Sequence, residues 1–320
     1  VELVFLGTGA GVPTTARNVT AIAIALWPER GAVWLFDCGE GTQHQLLRAP
    51  AAAGPRVRAR QVERVFLTHM HGDHLFGLPG LLGTRSFQAA DTPLTVYGPP
   101  GTRRYLETSL EVSQTHLTYP LGIVEIESPG IVHADERFQV HADWLEHTIP
   151  TLGYRVVERD RPGRLLTDRL ATLGVPPGPL YGRLKQGQSI PLPDGSTLHP
   201  DEVLAPPVPG RVVAILGDTR PCQAAVELAS GADVLVHEAT FAADRSALAP
   251  AYGHSTAADA ARTAHDAGAK ALILTHISAR YSGDGADRLL AEARAIFPNT
   301  RLASDLWSYP VPASRAGRAT

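Results

Sequence analysis

The chain has 320 residues, 44% hydrophobic and 19% charged, with a formal net charge of −3. Such a composition supports a sizeable buried core and excludes global disorder, and the length suits one large α/β domain or two small ones. No apolar run approaches the roughly 18 residues of a membrane span, and the mild negative charge confines any nucleic-acid binding to a local basic patch.

In chain order, Leu3–Leu6 reads as a strand that stops at Gly7-Thr8-Gly9-Ala10-Gly11. Its N-terminal side carries no basic stretch and does not read as a signal peptide. Strands are expected at Val19–Trp27 and Ala32–Phe36, the latter ending in Asp37-Cys38-Gly39-Glu40-Gly41, with a helix over Thr42–Arg48. Val62–Leu67 is a strand that stops at Thr68-His69. Leu75–Gln88 has helical spacing, Leu94–Tyr97 is a strand, and Gly101–Val112 is a helix after Pro99-Pro100. Phe138–Leu145 alternates as a strand does and is followed by His147, with Leu152–Val157 as its hairpin partner. Strands at Val212–Leu216, Val234–Val236 and Leu272–Leu274 end in Asp218, His237-Glu238 and Thr275-His276. The Ala-rich stretch Thr256–Ala267 is a helix capped by Ser255. Antiparallel sheet in each half with helices outside makes a layered α/β architecture.

Residues 159–195 break the rhythm, being rich in proline and glycine between Gly174 and Gly187 with no clear strand. From Arg155 to Lys185 seven basic residues face three acidic ones, a local balance of +4 on a negative chain. A long irregular segment inside a compact domain is usually functional or mobile. The tail, 311–320, is expected to fray. With only Cys38 and Cys222, a disulfide scaffold is excluded and a reducing cytoplasm is the expected location.

Thirteen histidines are present, and they cluster with aspartates at strand ends. In Thr68-His69-Met70-His71-Gly72-Asp73-His74 four metal-competent side chains follow a strand directly, with the turn permitted by Gly72. One zinc takes about four ligands at roughly 2 Å, so this crowd fits two neighbouring ions better than one. The remaining ligands come from other strand ends: His147, Asp218 and His276. A lone buried histidine is more often a hydrogen-bonded core residue than a ligand. Three imidazoles and a carboxylate crowded together, by contrast, need a cation to offset their cost. Only a carboxylate has two oxygens with which to bridge. His69, His71, His147 and Asp218 are therefore allotted to one ion, and Asp73, His74, Asp218 and His276 to the other. Gly7, Gly9 and Gly11 lack the spacing and the Lys-Ser/Thr of a phosphate loop.

The His-x-His-x-Asp-His signature resembles the metallo-β-lactamase superfamily. Together with Phe5–Pro13, Leu216–Arg220, His237-Glu238-Ala239-Thr240, His254-Ser255-Thr256 and Thr275–Tyr281, it resembles the ribonuclease Z family, over residues 3 to about 310. The resemblance implies a single catalytic domain over 1–310, folded as a four-layer αβ/βα sandwich with two zinc ions per subunit. It also implies an endonuclease that trims the 3′ trailer of precursor tRNA, and a homodimer. The insert at 159–195, around Gly178-Pro179 with Arg183 and Lys185, becomes a flexible arm that grips the tRNA body. Arg17 and Asn18 match the family's loop for the CCA end, with Thr15 where lysine is usual. On this reading a metal-activated hydroxide attacks the phosphodiester with Asp73 as general base. His254, oriented by Glu238, protonates the leaving 3′ oxygen, which leaves a 3′-hydroxyl on the tRNA and a 5′-phosphate on the trailer. Two other classes compete: a superfamily hydrolase of small esters, lactones or sulfates, and an RNA-binding subunit that uses zinc only for structure.

Overall fold

The computed structural model describes residues 1–26, 31–49, 57–88, 91–192 and 194–313, so Trp27 and tail residues 314–320 lie outside the described residues. The first half runs β1 (Glu2–Gly7), β2 (Gly9–Ala10), β3 (Ala21–Leu26), β4 (Ala32–Phe36), α1 (Thr42–Arg48), β5 (Val62–Phe66), α2 (Gly72–Leu75), α3 (Leu78–Phe87), β6 (Leu94–Gly98), α4 (Thr102–Val112) and β7 (Leu121–Glu125). Next come β8 (Gly130–Ala134), β9 (Phe138–Leu145), β10 (Thr151–Glu158), α5 (Thr167–Thr172), α6 (Pro179–Lys185), β11 (Ile190–Pro191), β12 (Thr197–Leu198) and α7 (Pro200–Val203). The chain continues through β13 (Val212–Leu216), α8 (Gln223–Ala229), β14 (Val234–Glu238), α9 (Ala257–Asp266), β15 (Leu272–Thr275), β16 (Ile277–Ser278), α10 (Asp284–Arg294), β17 (Thr300–Leu302) and β18 (Ser308–Pro310).

Two seven-stranded sheets result, in the orders β18-β1-β3-β4-β5-β6-β7 and β17-β15-β14-β13-β10-β9-β8. Neither is purely antiparallel, which corrects the expectation from sequence. β4, β5, β6 and β7 run parallel, as do β13, β14, β15 and β17. The reason lies in the connections: helices carry the chain back across the sheet face, and such crossovers make neighbouring strands parallel.

The sheets face each other through aromatic side chains. Tyr154 of β10 packs against Phe36 and Phe66, and its buried hydroxyl donates to the Leu67 carbonyl at 2.6 Å. Leu46, Leu78, Leu81 and Leu106 of α1, α3 and α4 cover the outer face of the first sheet. Ala257, Ala260, Ala261 and Ala264 of α9, with Leu228 of α8 and Leu289 of α10, cover the second. Helix, sheet, sheet, helix is the expected four-layer αβ/βα order. α9 starts one residue later than expected. Thr256 rather than Ser255 is the cap, accepting from Asp259 N while the Asp259 carboxylate accepts from Thr256 N. No helix among the described residues is long and apolar enough to cross a membrane.

The chain divides into two compact units, one comprising Val1–Asp135, Gln139–Val156 and Val212–Val311 and the other including Glu136–Phe138 and Val157–Arg211. The second unit corrects the irregular reading of 159–195. It holds α5, α6, the β11–β12 hairpin and α7 around its own core of Leu170, Val175, Leu184, Ile190, Leu198 and Val203. Within it the Glu158 carboxylate, 2% exposed, accepts from the Arg211 guanidinium at 2.6 and 3.0 Å. Burial alone would raise its pKa, but Arg211 overrides that and lowers it from 4.5 to about 2. A depressed carboxylate stabilises the fold above its unfolded pKa, and the contribution is lost as pH falls through the folded value. The wild-type protein should therefore exceed Glu158→Gln in stability by about 3 kcal/mol at neutral pH. The gap should close between about pH 4.5 and pH 2. Urea denaturation of both proteins at several pH values measures it, and a gap constant down to the lowest pH would refute the linkage.

Candidate metal centre

Each proposed ligand sits just past a strand. β5 runs into Thr68 and the His69–His74 segment, β9 into His147, β13 into Asp218, β14 into Glu238 and β15 into His276. Strand ends gather residues distant in sequence while a rigid scaffold holds them. Gly72 is not a left-handed turn residue; it opens α2, for which His71 is the N-cap. Gly217 allows a close approach, since a Cβ there would lie 2.7 Å from Thr68 Cβ and from Thr151 Cγ2. That brings β13 and Asp218 against the histidine segment.

The seven residues meet as two triads joined by one carboxylate. His69 Nε2 lies 3.0 Å from His71 Nδ1, which lies 3.3 Å from His147 Nε2. His74 Nε2 lies 3.3 Å from His276 Nε2, and Asp73 Oδ2 is 3.5 and 3.4 Å from those two nitrogens. Asp218 Oδ2 stands between the triads, 3.7 Å from His69 Nε2, 3.4 Å from His74 Nε2 and 3.3 Å from His276 Nε2. A tetrahedron with bonds of about 2.1 Å has edges of about 3.4 Å, so these separations suit atoms sharing an ion. Neutral imidazole nitrogens and carboxylate oxygens are also the donor set that zinc accepts. The residues present fit metal ions held by imidazole nitrogens and carboxylate oxygens.

Electrostatics agree. Burial pushes His69, His71 and His147 toward the neutral form that binds metal. Burial alone would raise Asp218 and Asp73, yet the surrounding histidines hold both carboxyls well below the usual range. Burial opposes charge on His74 too, but Asp218 and Asp37 pull it well above its ordinary value. The buried carboxylates thus demand positive charge, which a cation supplies.

A second layer of hydrogen bonds orients the imidazoles. His74 Nδ1 donates to Asp37 Oδ2 at 2.7 Å, and His147 Nδ1 donates to the Gly253 carbonyl at 2.7 Å. His69 Nδ1 meets Thr68 Oγ1 at 2.9 Å, whose hydroxyl donates to Asp37 Oδ2 at 2.8 Å. His276 Nδ1 meets Thr240 Oγ1 at 2.8 Å, whose hydroxyl donates to Glu238 Oε2 at 2.6 Å. Partners on the outer nitrogen fix the tautomer and raise ligand basicity. Asp37, Thr68 and Thr240 were not singled out from sequence. Asp37 does share one signal with the ligands, a polar residue directly after a strand. Asp37 and His276 also adopt left-handed backbone, at φ 59° and 55°. Such conformations in non-glycine residues cluster at functional sites.

Glu238 is buried and saturated. Its Oε1 accepts from Thr219 N and Ser255 N at 3.1 Å each and from His254 Nδ1 at 2.9 Å. Burial disfavours charge on His254, but Glu238 and then Asp218 lift its pKa to about 9. Its ring centroid lies 5.0 Å from that of His147 and 5.5 Å from that of His276. Asp73, Asp218, His254 and His276 line one cavity of about 380 Å³, with Gly11, Phe241, Tyr252 and Arg280 among the other walls. His237 is wholly buried and outside both triads.

Arg17 and Asn18 do not line that cavity. Arg17 and Asn18 wall a separate cavity of about 360 Å³. Arg17 turns inward, donating to Thr8 Oγ1 at 2.6 Å and the Ala303 carbonyl at 2.7 Å, while Asn18 N donates to Asp305. Gly178, Pro179, Arg183 and Lys185 are exposed residues of the second unit, at and within α6. Arg155 leaves the basic group, because its guanidinium donates to the Leu228 and Ser230 carbonyls at the end of α8.

A sequence model of the Beta-lactamase superfamily domain matches residues 34–165 and 203–277. Ribonuclease Z of Geobacillus kaustophilus is 58% identical over 98% of this chain and 99% of its own length. Ribonuclease Z of Bacillus cereus is 56% identical over 97% and 99%. The crystal structure of the short form of human tRNase Z superposes with a TM-score of 0.70 at 30% identity, covering 98% of this chain and all of that one. With the two-sheet sandwich and the histidine cluster at its strand ends, these likenesses establish that the chain belongs to the ribonuclease Z family of endoribonucleases, within the beta-lactamase superfamily.

Proposed function

We propose that this protein removes the 3′ trailer from precursor tRNA by hydrolysing one phosphodiester, using two zinc ions per subunit. The observation that carries the reading is Asp218 Oδ2, placed within 3.7 Å of imidazole nitrogens from both triads beside a cavity open to substrate. His69, His71, His147 and Asp218 would hold one ion, and Asp73, His74, Asp218 and His276 the other. When bound, the pair supplies electrophilic stabilisation of the phosphate and lowers the pKa of water at the site.

The chain's own groups do the rest. The Asp73 carboxylate is ionised at neutral pH and accepts the proton of the attacking water; the same Oδ2 is held by Gly11 N at 2.8 Å. As the phosphorus–O3′ bond breaks, His254 gives a proton to the departing oxygen. Glu238 holds His254 by Nδ1, which leaves Nε2 for that transfer. The products are a 3′-hydroxyl on the tRNA and a 5′-phosphate on the trailer. Gly178, Pro179, Arg183 and Lys185 of the second unit would meet the tRNA body, and Arg17 and Asn18 would frame its 3′ end. Phosphate contacts from such basic residues position an RNA without reading its sequence. A cytoplasmic homodimer completes the reading.

The test is incubation of a 3′-extended precursor tRNA with the purified protein before and after chelation. Cleavage should cease on chelation and return with about two equivalents of zinc per chain. Chelator-resistant cleavage, or a 2′,3′-cyclic phosphate at the new end, would overturn it.

A further inference from the structure

The loop between β14 and α9 carries His254, and it also carries two apolar side chains that the reaction as derived leaves without a task. Tyr252 is 59% exposed and Leu248 is 38% exposed, and both line the metal-site cavity together with Phe241. Exposed apolar groups concentrated at a pocket mouth mark binding surface rather than core. The Tyr252 ring centroid lies 6.5 Å from that of Phe241 with planes 34° apart, and Phe241 meets His254 at 6.0 Å and 63°. The three rings form a graded wall from the proton donor to the rim.

That wall is fixed to the metal centre. Tyr252 closes a single 3-10 turn, Pro250–Tyr252, and the next residue, Gly253, has φ 73°. The Gly253 carbonyl holds His147 Nδ1, and a Cβ at Gly253 would fall 2.7 Å from that nitrogen. His254 N donates to the Ala249 carbonyl at 2.8 Å, closing the loop on itself. Tyr252 is therefore held by the same segment that positions a ligand on one side and the leaving-group acid on the other.

We propose that Tyr252, backed by Phe241 and Leu248, is the stacking wall for the nucleobase on the 5′ side of the scissile phosphate. This rests on the nuclease reading above. The argument for the side is chemical. His254 protonates the 3′ oxygen that leaves, so the ribose carrying that oxygen lies against His254, and its base is the one within reach of Phe241 and Tyr252. The argument for a base as occupant is equally direct: every nucleobase offers a π face, so an aromatic wall binds any of them. That suits an enzyme whose substrates share a backbone and differ in sequence. The Tyr252 ring supplies the contact, so its hydroxyl is dispensable.

The experiment is a double-mutant cycle between protein and RNA. Tyr252→Ala, Tyr252→Phe and wild type are assayed on a 3′-extended precursor tRNA and on the same RNA made abasic at the nucleotide 5′ of the cut. Tyr252→Ala should lower kcat/KM on the intact precursor by roughly 10- to 100-fold, the range of base–aromatic stacking, while Tyr252→Phe stays near wild type. On the abasic RNA all three proteins should be equally slow, because ring and base act only through each other. A loss on Tyr252→Ala that persists undiminished with the abasic RNA overturns the proposal, as it would show a disturbed loop or subunit interface. Coupling to an abasic nucleotide 3′ of the cut instead would place the wall on the wrong side. A wild-type protein that cuts the abasic and intact precursors equally well sinks only the stacking wall. One that leaves the intact precursor uncut sinks the nuclease reading as well.

Discussion

Replacing Asp218 by alanine should cost at least about 10³-fold in precursor cleavage and reduce the metal content from two equivalents per chain to one or fewer. The size follows from position. Among the described residues Asp218 is the one carboxylate whose oxygen reaches nitrogens of both triads, and it is 4% exposed, so water replaces it poorly. Its loss takes a ligand from each proposed ion and leaves His69, His74 and His276 to face the proposed ions with less negative charge. Each tenfold in rate is about 1.36 kcal/mol, so the expected loss is about 4 kcal/mol, within what Lewis-acid stabilisation of a phosphoryl transition state supplies. Metal analysis of the purified variant separates this from a folding defect, since a circular dichroism spectrum like that of wild type should accompany the lower metal content. A variant that retains two equivalents and turns over normally would show that Asp218 does not bridge.

How much of this was legible in the sequence depends on whether a residue carries its own signature. His69, His71, Asp73 and His74 are four metal-competent groups in six positions on one strand end, and the spacing alone brings them together. His147, Asp218 and His276 are legible because each interrupts an apolar run where a strand must stop. Asp37 obeys the same rule, but its role exists only because the end of β4 meets His74. Thr68 and Thr240 are invisible for a similar reason: a hydroxyl becomes a relay only when an imidazole and a carboxylate lie on either side of it. Arg17 is marked only by the family's loop motif, and the inward turn of its guanidinium onto Thr8 and the Ala303 carbonyl becomes visible only in the fold. Strand positions were legible from β-branched runs, whereas strand direction was not, because alternation has no sense of polarity. In residues 159–195 the prolines and glycines hid a core whose apolar members, from Leu170 to Val203, are spread too widely for periodicity to reveal.

Changing His254 to alanine should slow precursor cleavage by about 10²- to 10⁴-fold, the range of a positioned general acid, with metal content unchanged. The second half of that expectation follows from geometry. His254 Nδ1 is turned to Glu238 at 2.9 Å and stands 3.9 Å from Asp218, so the residue borders the proposed centre and contributes no donor to either triad. Glu238 in turn accepts from three backbone N–H groups, of Thr219, Thr240 and Ser255, and from the Thr240 hydroxyl, so it remains satisfied when the imidazole is removed. What disappears is the donor for an alkoxide, a poor leaving group that departs from phosphorus far more slowly without a proton. The discriminating measurement is therefore the leaving-group dependence. On methyl p-nitrophenyl phosphate the phenolate leaves unaided, so His254→Ala should lose little more than a few-fold, and wild type and variant should converge as the leaving group improves. Equal losses on RNA and on the aryl ester would place His254 in binding or in the support of His147, and the proton would have to come from elsewhere in the cavity.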